Sequence, residues 1–146
     1  MKQIHFIPGL GEKPHEYKAL SKYLSIVDVD WNTGKMIPVM SKLDILVGFS
    51  MGACLSCIHA EKYKVKNLIL CSLTPGEETL KNVKADFVTF LVGEKEQWVL
   101  KDLMRVRKTL KCKSKVVVIP NTGHKITSQY QKKLIEIVQQ HIDTLG

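Results

Sequence analysis

Apolar runs alternate with amphipathic segments along most of this chain. Runs that are apolar at nearly every position are typical of strands buried on both faces of a sheet. Six runs are predicted as strands, at residues 4–7, 26–29, 44–47, 67–71, 87–92 and 115–119. Apolar residues at helical spacing predict helices that begin near Pro14 and that cover residues 51–63, 96–110 and 127–142. Strands that alternate with such helices predict a parallel sheet covered on both faces.

The chain of 146 residues is predicted to be one α/β domain, residues 1–146. A chain of this length buries about two-thirds of its unfolded surface, which is enough for one core. No repeat, low-complexity segment or linker interrupts the pattern. We therefore expect a doubly wound, mainly parallel six-stranded sheet with helices on both sides, a three-layer sandwich.

The segment Leu46-Val47-Gly48-Phe49-Ser50-Met51-Gly52 joins the third predicted strand to a helix. It contains G-x-S-x-G, the pattern of a nucleophile elbow. Such a turn strains the backbone of the central residue and exposes its side chain. It closes only where the flanking positions carry almost no side chain, as Gly48 and Gly52 do here. The five-residue pattern also occurs by chance, in a strand–turn–helix with an incidental serine, so its weight depends on partner residues elsewhere.

The ends of the other predicted strands supply those partners. Ligands of open parallel sheets bind at the carboxyl ends of the strands. The fifth predicted strand ends in Gly93-Glu94-Lys95-Glu96, and the sixth is followed by His124. A hydroxyl, a carboxylate from Glu94 or Glu96, and an imidazole are therefore expected at one edge of the sheet. This order is typical of serine hydrolases.

Each of these groups has a defined chemical use. A serine hydroxyl becomes a nucleophile when a neutral imidazole accepts its proton, and a carboxylate orients that imidazole. The oxyanion that forms needs prepositioned N–H donors. The backbone N–H of Met51, at the start of the helix, is one predicted donor. The N–H of Leu10, in the glycine-flanked loop after the first strand, is the other.

With these motifs, the sequence resembles the α/β-hydrolase superfamily over nearly its whole length. P-G-L-G stands where that family has H-G-x-x, and G-F-S-M-G, L-V-G-E-K-E and I-P-N-T-G-H follow in order. The resemblance implies Ser50 as nucleophile, Glu96 as acid and His124 as base. Glu96 is preferred to Glu94 because the family's acid usually lies three residues after the glycine that ends the strand, here Gly93.

The resemblance also implies how this chain differs from the family. The chain begins at the equivalent of the family's third strand, so the first two strands and the lid are expected to be absent. The six remaining strands are expected in the order 2-1-3-4-5-6, around a shallow, open pocket. The acid is a glutamate where aspartate is commoner, and Pro8 replaces the usual histidine of the first loop.

These features favour a serine hydrolase that cleaves a carboxylic ester or thioester through an acyl-enzyme on Ser50. The alternative is a catalytically inactive binding or scaffold module that kept the fold. The missing lid and the substitution at Pro8 favour this alternative, whereas the ordered set of hydroxyl, carboxylate and imidazole favours catalysis. Reactivity of Ser50 separates the two hypotheses.

Charge and cysteine spacing argue against nucleic-acid binding and against a redox function. The formal net charge is +8, but the densest basic stretch, residues 105–115, has no aromatic residues and has helical spacing. A solvated helix face explains it, so we expect no nucleic-acid partner. Cys54 and Cys57 lie beyond the first turn of a predicted helix, where buried small side chains are favoured over a redox pair.

Metal and membrane sites are not indicated either. The helical histidines have no converging ligands, so we predict no metal and no cofactor. No apolar run approaches the roughly 18 residues of a membrane span, and we expect a cytoplasmic protein. An exposed sheet edge at the second strand would be a pairing surface for a homodimer.

Overall fold

The computed structural model describes residues 3–38 and 40–145. The strands are β1 (Ile4–Ile7), β2 (Ser25–Ile26), β3 (Asp28–Val29), β4 (Met36–Ile37), β5 (Leu43–Phe49), β6 (Val65–Cys71), β7 (Ala85–Gly93) and β8 (Lys113–Ile119). The α-helices are α1 (Met51–Lys62), α2 (Gln97–Val106) and α3 (Ser128–Leu145). Short 3-10 helices cover Pro14–Tyr17, Leu20–Lys22 and Arg107–Thr109.

The main sheet has the strand order β2-β1-β5-β6-β7-β8. Every neighbouring pair in it is parallel. The predicted third to sixth strands correspond to β5–β8, so the predicted order 2-1-3-4-5-6 is confirmed. The register aligns Phe49 with Cys71 and Gly93 with Ile119. The carboxyl ends of these four strands therefore lie at one edge of the sheet.

The predicted strand at residues 26–29 is divided into two strands. β2 pairs with β1, whereas β3 leaves the sheet and pairs antiparallel with β4. The turn of this hairpin is closed by the Asp30 N–H bonded to the Lys35 carbonyl at 2.8 Å and by Gly34 at φ +78°. No strand was predicted at β4, because its two residues pair only through this turn.

The helix predicted near Pro14 consists instead of 3-10 turns. The Glu16 N–H donates to the Lys13 carbonyl at 3.0 Å, a spacing of three residues instead of four. Carboxylates compete for the backbone donors here: Glu12 accepts from the Gly9 N–H at 2.6 Å and Glu16 from the Lys13 N–H at 2.7 Å. Such local hydrogen bonds replace those of a regular helix.

The sheet carries a hydrophobic core on each face. Alternation along β6 places Leu68 and Leu70 in one core and Ile69 and Cys71 in the other. The first core is covered by α1, α2 and the β3–β4 hairpin, through Ala53, Cys57, Leu103, Val106 and Val29. The second core is covered by α3 and by the first two 3-10 helices, through Tyr130, Leu134, Ile137, Tyr17 and Leu20. The three-layer sandwich is thus confirmed.

The connection between β6 and β7 is short. Residues 72–84, all of which the structure describes, form turns and contain no helix or strand. No lid is built from this segment, as expected. Within residues 3–38 and 40–145, no helix combines the length and the apolar character needed to cross a membrane.

Candidate active site

The turn after β5 holds Ser50 in a strained conformation. Ser50 has φ 57° and ψ −116°, and α1 begins at the next residue. A side chain at Gly48 would overlap the carbonyl of Gly52 and the hydroxyl of Ser56, and one at Gly52 would overlap the carbonyls of Ile7 and Pro8. The first loop therefore packs directly against the first turn of α1, and both glycines are required by close backbone contacts.

Ser50, His124 and Glu96 form a continuous hydrogen-bonded chain. Ser50 Oγ lies 2.8 Å from His124 Nε2, and His124 Nδ1 lies 2.6 Å from Glu96 Oε2. The Glu96 side chain is 3% exposed and that of His124 is 47% exposed. Because a carboxylate only accepts, Nδ1 carries the hydrogen of that contact, and Nε2 is free to accept from Ser50. The geometry allows a proton to move from Ser50 to the imidazole.

Backbone contacts between two loops place His124 and Glu96 side by side. A Cβ at Gly93 would overlap the Thr122 carbonyl, so the turn after β7 lies directly on the loop after β8. Lys95 N–H donates to the Thr122 carbonyl at 2.9 Å, and Glu94 N–H donates to the Ile119 carbonyl at 2.8 Å. The relative position of the acid and the histidine is therefore set by main-chain hydrogen bonds.

The two glutamates of this turn have different partners. Glu94 Oε1 accepts a hydrogen bond from the Asn121 N–H at 3.0 Å, in an exposed position. Glu96 is buried and contacts His124. The structure thus brings Ser50, Glu96 and His124 together and leaves Glu94 outside this set.

The two backbone N–H groups predicted to bind an oxyanion belong to the loop after β1 and to the first residue of α1. Leu10 is exposed in the first loop, and Met51 is exposed at the start of α1. Among the residues that the structure describes, neither N–H has an acceptor. Their role as oxyanion donors stays a prediction.

A glutamate that the sequence did not single out pins the first loop. Glu12 Oε1 accepts hydrogen bonds from the Gly9 N–H and from the Tyr17 hydroxyl, each at 2.6 Å. The Trp31 indole N–H donates to the Glu12 carbonyl at 3.1 Å. Burial, and then the hydrogen bond to Glu12, raise the pKa of Tyr17 above its ordinary value. Glu12 thus holds the loop that contains Pro8.

Two further polar residues were missed: one contacts the candidate acid, and the other contacts the first. Ser72 Oγ donates to Glu96 Oε1 at 2.6 Å, and the Tyr130 hydroxyl lies 2.9 Å from Ser72 Oγ. Ser72 directly follows β6, so a survey of every strand end would have found it. Tyr130 occupies an apolar position of α3, and no sequence signal distinguishes it from a core residue.

A cavity of about 230 Å³ adjoins His124. Tyr17, Phe49 and Ile126 contribute its apolar walls, and Glu12 and Glu16 line it as well. No cluster of three or more His, Cys, Asp or Glu side chains that could hold a metal ion is found in the described part of the chain.

Neither a protein-family model nor a curated protein matches this sequence. Solved structures do match it. Arabidopsis thaliana SOBER1 superposes with a TM-score of 0.64 at 11% identity, over 97% of this chain and 99% of that one. The chain has the α/β-hydrolase fold. The α/β-hydrolase fold predicted from the sequence is therefore confirmed.

Two enzymes share this α/β-hydrolase fold with the chain. Dienelactone hydrolase from Anabaena variabilis ATCC 29413 has a TM-score of 0.65 at 18% identity, over 95% of this chain and 83% of that one. Acetyl xylan esterase from Paenibacillus sp. R4 has a TM-score of 0.66 at 9% identity, over 95% and 74%. At these identities the likeness establishes the fold alone.

Proposed function

We propose that this chain is a serine hydrolase that cleaves a carboxylic ester or thioester through an acyl-enzyme on Ser50. The observation that carries the proposal is the hydrogen-bonded chain from Ser50 through His124 to Glu96 at the elbow of an α/β-hydrolase fold. Strain at Ser50 adds support, since strained backbone clusters at active sites. The names of two structural neighbours, a dienelactone hydrolase and an acetyl xylan esterase, agree with an ester substrate.

In the proposed reaction, His124 Nε2 takes the proton of Ser50 as its Oγ bonds to the substrate carbonyl carbon. The carbonyl π electrons move to the oxygen, which the N–H groups of Leu10 and Met51 stabilise. The carbon–oxygen or carbon–sulfur bond to the leaving group then breaks, and His124 protonates that group. Glu96 orients the imidazole and stabilises its charged form.

Water completes the proposed cycle. His124 takes a proton from water as the water oxygen attacks the acyl carbon, and Ser50 recovers its proton when the acyl group leaves as a carboxylic acid.

Labelling with a fluorophosphonate probe, followed by intact mass, tests the proposal. We expect one adduct on the wild type and none on Ser50→Ala. Ser128→Ala is the matched control, because it removes an exposed serine hydroxyl at the start of α3, and it should label like the wild type. A folded wild type that neither labels nor hydrolyses p-nitrophenyl acetate would refute the proposal and favour the inactive module.

Three further expectations from the sequence concern location and partners. The cytoplasmic location, the lack of a nucleic-acid partner and the homodimer through the second strand stay predictions. β2 has only two residues, so sheet extension at that edge would involve a short strand.

A further inference from the structure

The two oxygens of the Glu96 carboxylate have separate partners. Oε2 lies 2.6 Å from His124 Nδ1. Oε1 accepts hydrogen bonds from Ser72 Oγ at 2.6 Å and from the Gly93 N–H at 2.8 Å. The side chain is almost fully buried. Rotation of the carboxylate would therefore break hydrogen bonds that no solvent replaces.

Ser72 is held rigidly beside this oxygen. It is fully buried, and its N–H donates to the Leu91 carbonyl at 2.7 Å. Its φ of 50° lies in the left-handed region, which glycine adopts without strain. What serine adds over glycine at this position is the hydroxyl that reaches Glu96.

The Tyr130 hydroxyl lies on the other side of Ser72 Oγ from Glu96 in this hydrogen-bonded chain. Its OH lies 2.9 Å from Ser72 Oγ and 3.1 Å from the Leu91 carbonyl. The carboxylate only accepts, so the single hydroxyl hydrogen of Ser72 is directed at Glu96. Ser72 Oγ is then left as an acceptor towards Tyr130, whose single hydroxyl hydrogen is shared between Ser72 Oγ and the Leu91 carbonyl. Burial raises the pKa of Tyr130 well above its ordinary value, so the phenol keeps its proton.

We propose that Ser72 and Tyr130 are positioning residues that fix Glu96 Oε1, so that Oε2 faces His124 and the imidazole presents Nε2 to Ser50. The inference rests on the proposed function, since both residues act through Glu96 and not on the substrate. Hydrogen bonds to a charged group are about twice as strong as neutral ones. Because neither residue acts on the substrate, loss of either hydroxyl should change kcat more than KM.

The test compares three hydroxyl deletions. Ser72→Ala and Tyr130→Phe remove the two groups, and Thr89→Val is the matched control. Thr89 is a fully buried residue of β7 whose hydroxyl has no partner among the described residues. The readouts are kcat and KM for p-nitrophenyl acetate and the low-field proton resonance of His124 Nδ1–H by NMR.

We expect Ser72→Ala to lower kcat about 10-fold and to leave KM within about twofold, because the lost contact is a hydrogen bond to a charged group. Tyr130→Phe should have a smaller effect in the same direction. The His124 Nδ1–H resonance should shift or broaden in both variants. Thr89→Val should match the wild type in kcat and in the resonance.

A second substitution at Ser72 distinguishes the loss of the hydroxyl from the strain that alanine would have at a φ of 50°. Ser72→Gly keeps the backbone conformation without strain and should reproduce the loss of Ser72→Ala. Thermal unfolding identifies any variant that does not fold, and Ser72→Gly and Tyr130→Phe then carry the test. Folded Ser72 variants with wild-type kcat and an unchanged resonance would overturn the inference. If the wild type does not label with fluorophosphonate, the proposed function fails, and the resonance alone decides the positioning role.

Discussion

At the scale of single residues, two glutamates of one turn differ in environment although they are two positions apart. Glu94 is exposed and accepts from the Asn121 backbone, whereas Glu96 is buried and contacts His124. A carboxylate that orients a catalytic imidazole must contact Nδ1 and be shielded from water, so that its effect on the imidazole is strong. Only Glu96 meets both conditions.

Substitution by glutamine distinguishes the two carboxylates. Glu96→Gln should lower kcat by about 10³-fold or more, because an amide can present its NH₂ group to the imidazole and stabilise the wrong tautomer. Glu94→Gln should stay within about twofold, since its amide oxygen can still accept from Asn121. Turnover of p-nitrophenyl acetate measures both. Equal losses in the two variants would contradict the assignment of Glu96.

At the scale of elements, β1 and α1 bring two buried histidines together. His5 on β1 and His59 on α1 are each 8% exposed. His59 Nε2 lies 2.7 Å from the Ser41 carbonyl, whereas His5 Nδ1 is buried and has no partner among the described residues. Burial lowers the pKa of both histidines, and repulsion from His59 lowers that of His5 further. The contact between β1 and α1 thus favours neutral imidazoles.

This arrangement predicts acid sensitivity of the fold. A histidine whose pKa is lower in the folded state binds fewer protons there than in the unfolded chain, so the free energy of unfolding falls as pH drops below about 6.5. Urea unfolding at pH 7.5 and 5.5 should show this loss, and His5→Val should reduce it. His15→Ala, at an exposed position, should retain the full loss. Equal wild-type stability at the two pH values would contradict the prediction.

At the scale of the whole molecule, one sheet separates two cores. Leu68 and Ile69 are neighbours in β6, yet they point into opposite cores, and both are fully buried. The strands belong to both cores at once, so neither core can be lost while the sheet persists. A single domain over residues 1–146 stays a prediction, which the shared sheet makes testable.

Shortening a buried side chain in either core should therefore destabilise the whole domain as one cooperative unit. Leu68→Ala and Ile69→Ala should each lower the free energy of unfolding by about 2–5 kcal/mol. Ile58→Ala, at an exposed position of α1, should change it by less than about 0.5 kcal/mol. Urea unfolding followed by far-UV circular dichroism and by tryptophan fluorescence measures these changes. Transitions at different urea concentrations in the two signals would contradict a single domain.

Local pattern in the sequence was sufficient for much of this molecule. Continuous apolar runs such as those of β5 and β6 indicate buried parallel strands, because each residue of such a strand faces one of two cores. The elbow glycines and the order of Ser50, the acid turn and His124 are likewise local features. Together they predicted the edge of the sheet at which the candidate site lies, whereas the strand order was expected from the resemblance to the α/β-hydrolase superfamily.

Features that depend on particular hydrogen bonds, local or between distant residues, were seen only in the structure. The β3–β4 hairpin and the 3-10 turns depend on local hydrogen bonds that compete with the strand and helix periodicities used for prediction. The contacts of Glu96 with His124, and of Ser72 with Tyr130, span 28 and 58 positions. The sequence by itself determined which groups reach the carboxyl edge of the sheet. Packing of the loops and of α3 decided which of them touch, since hydrogen bonds depend on ångström-scale positions that periodicity does not encode.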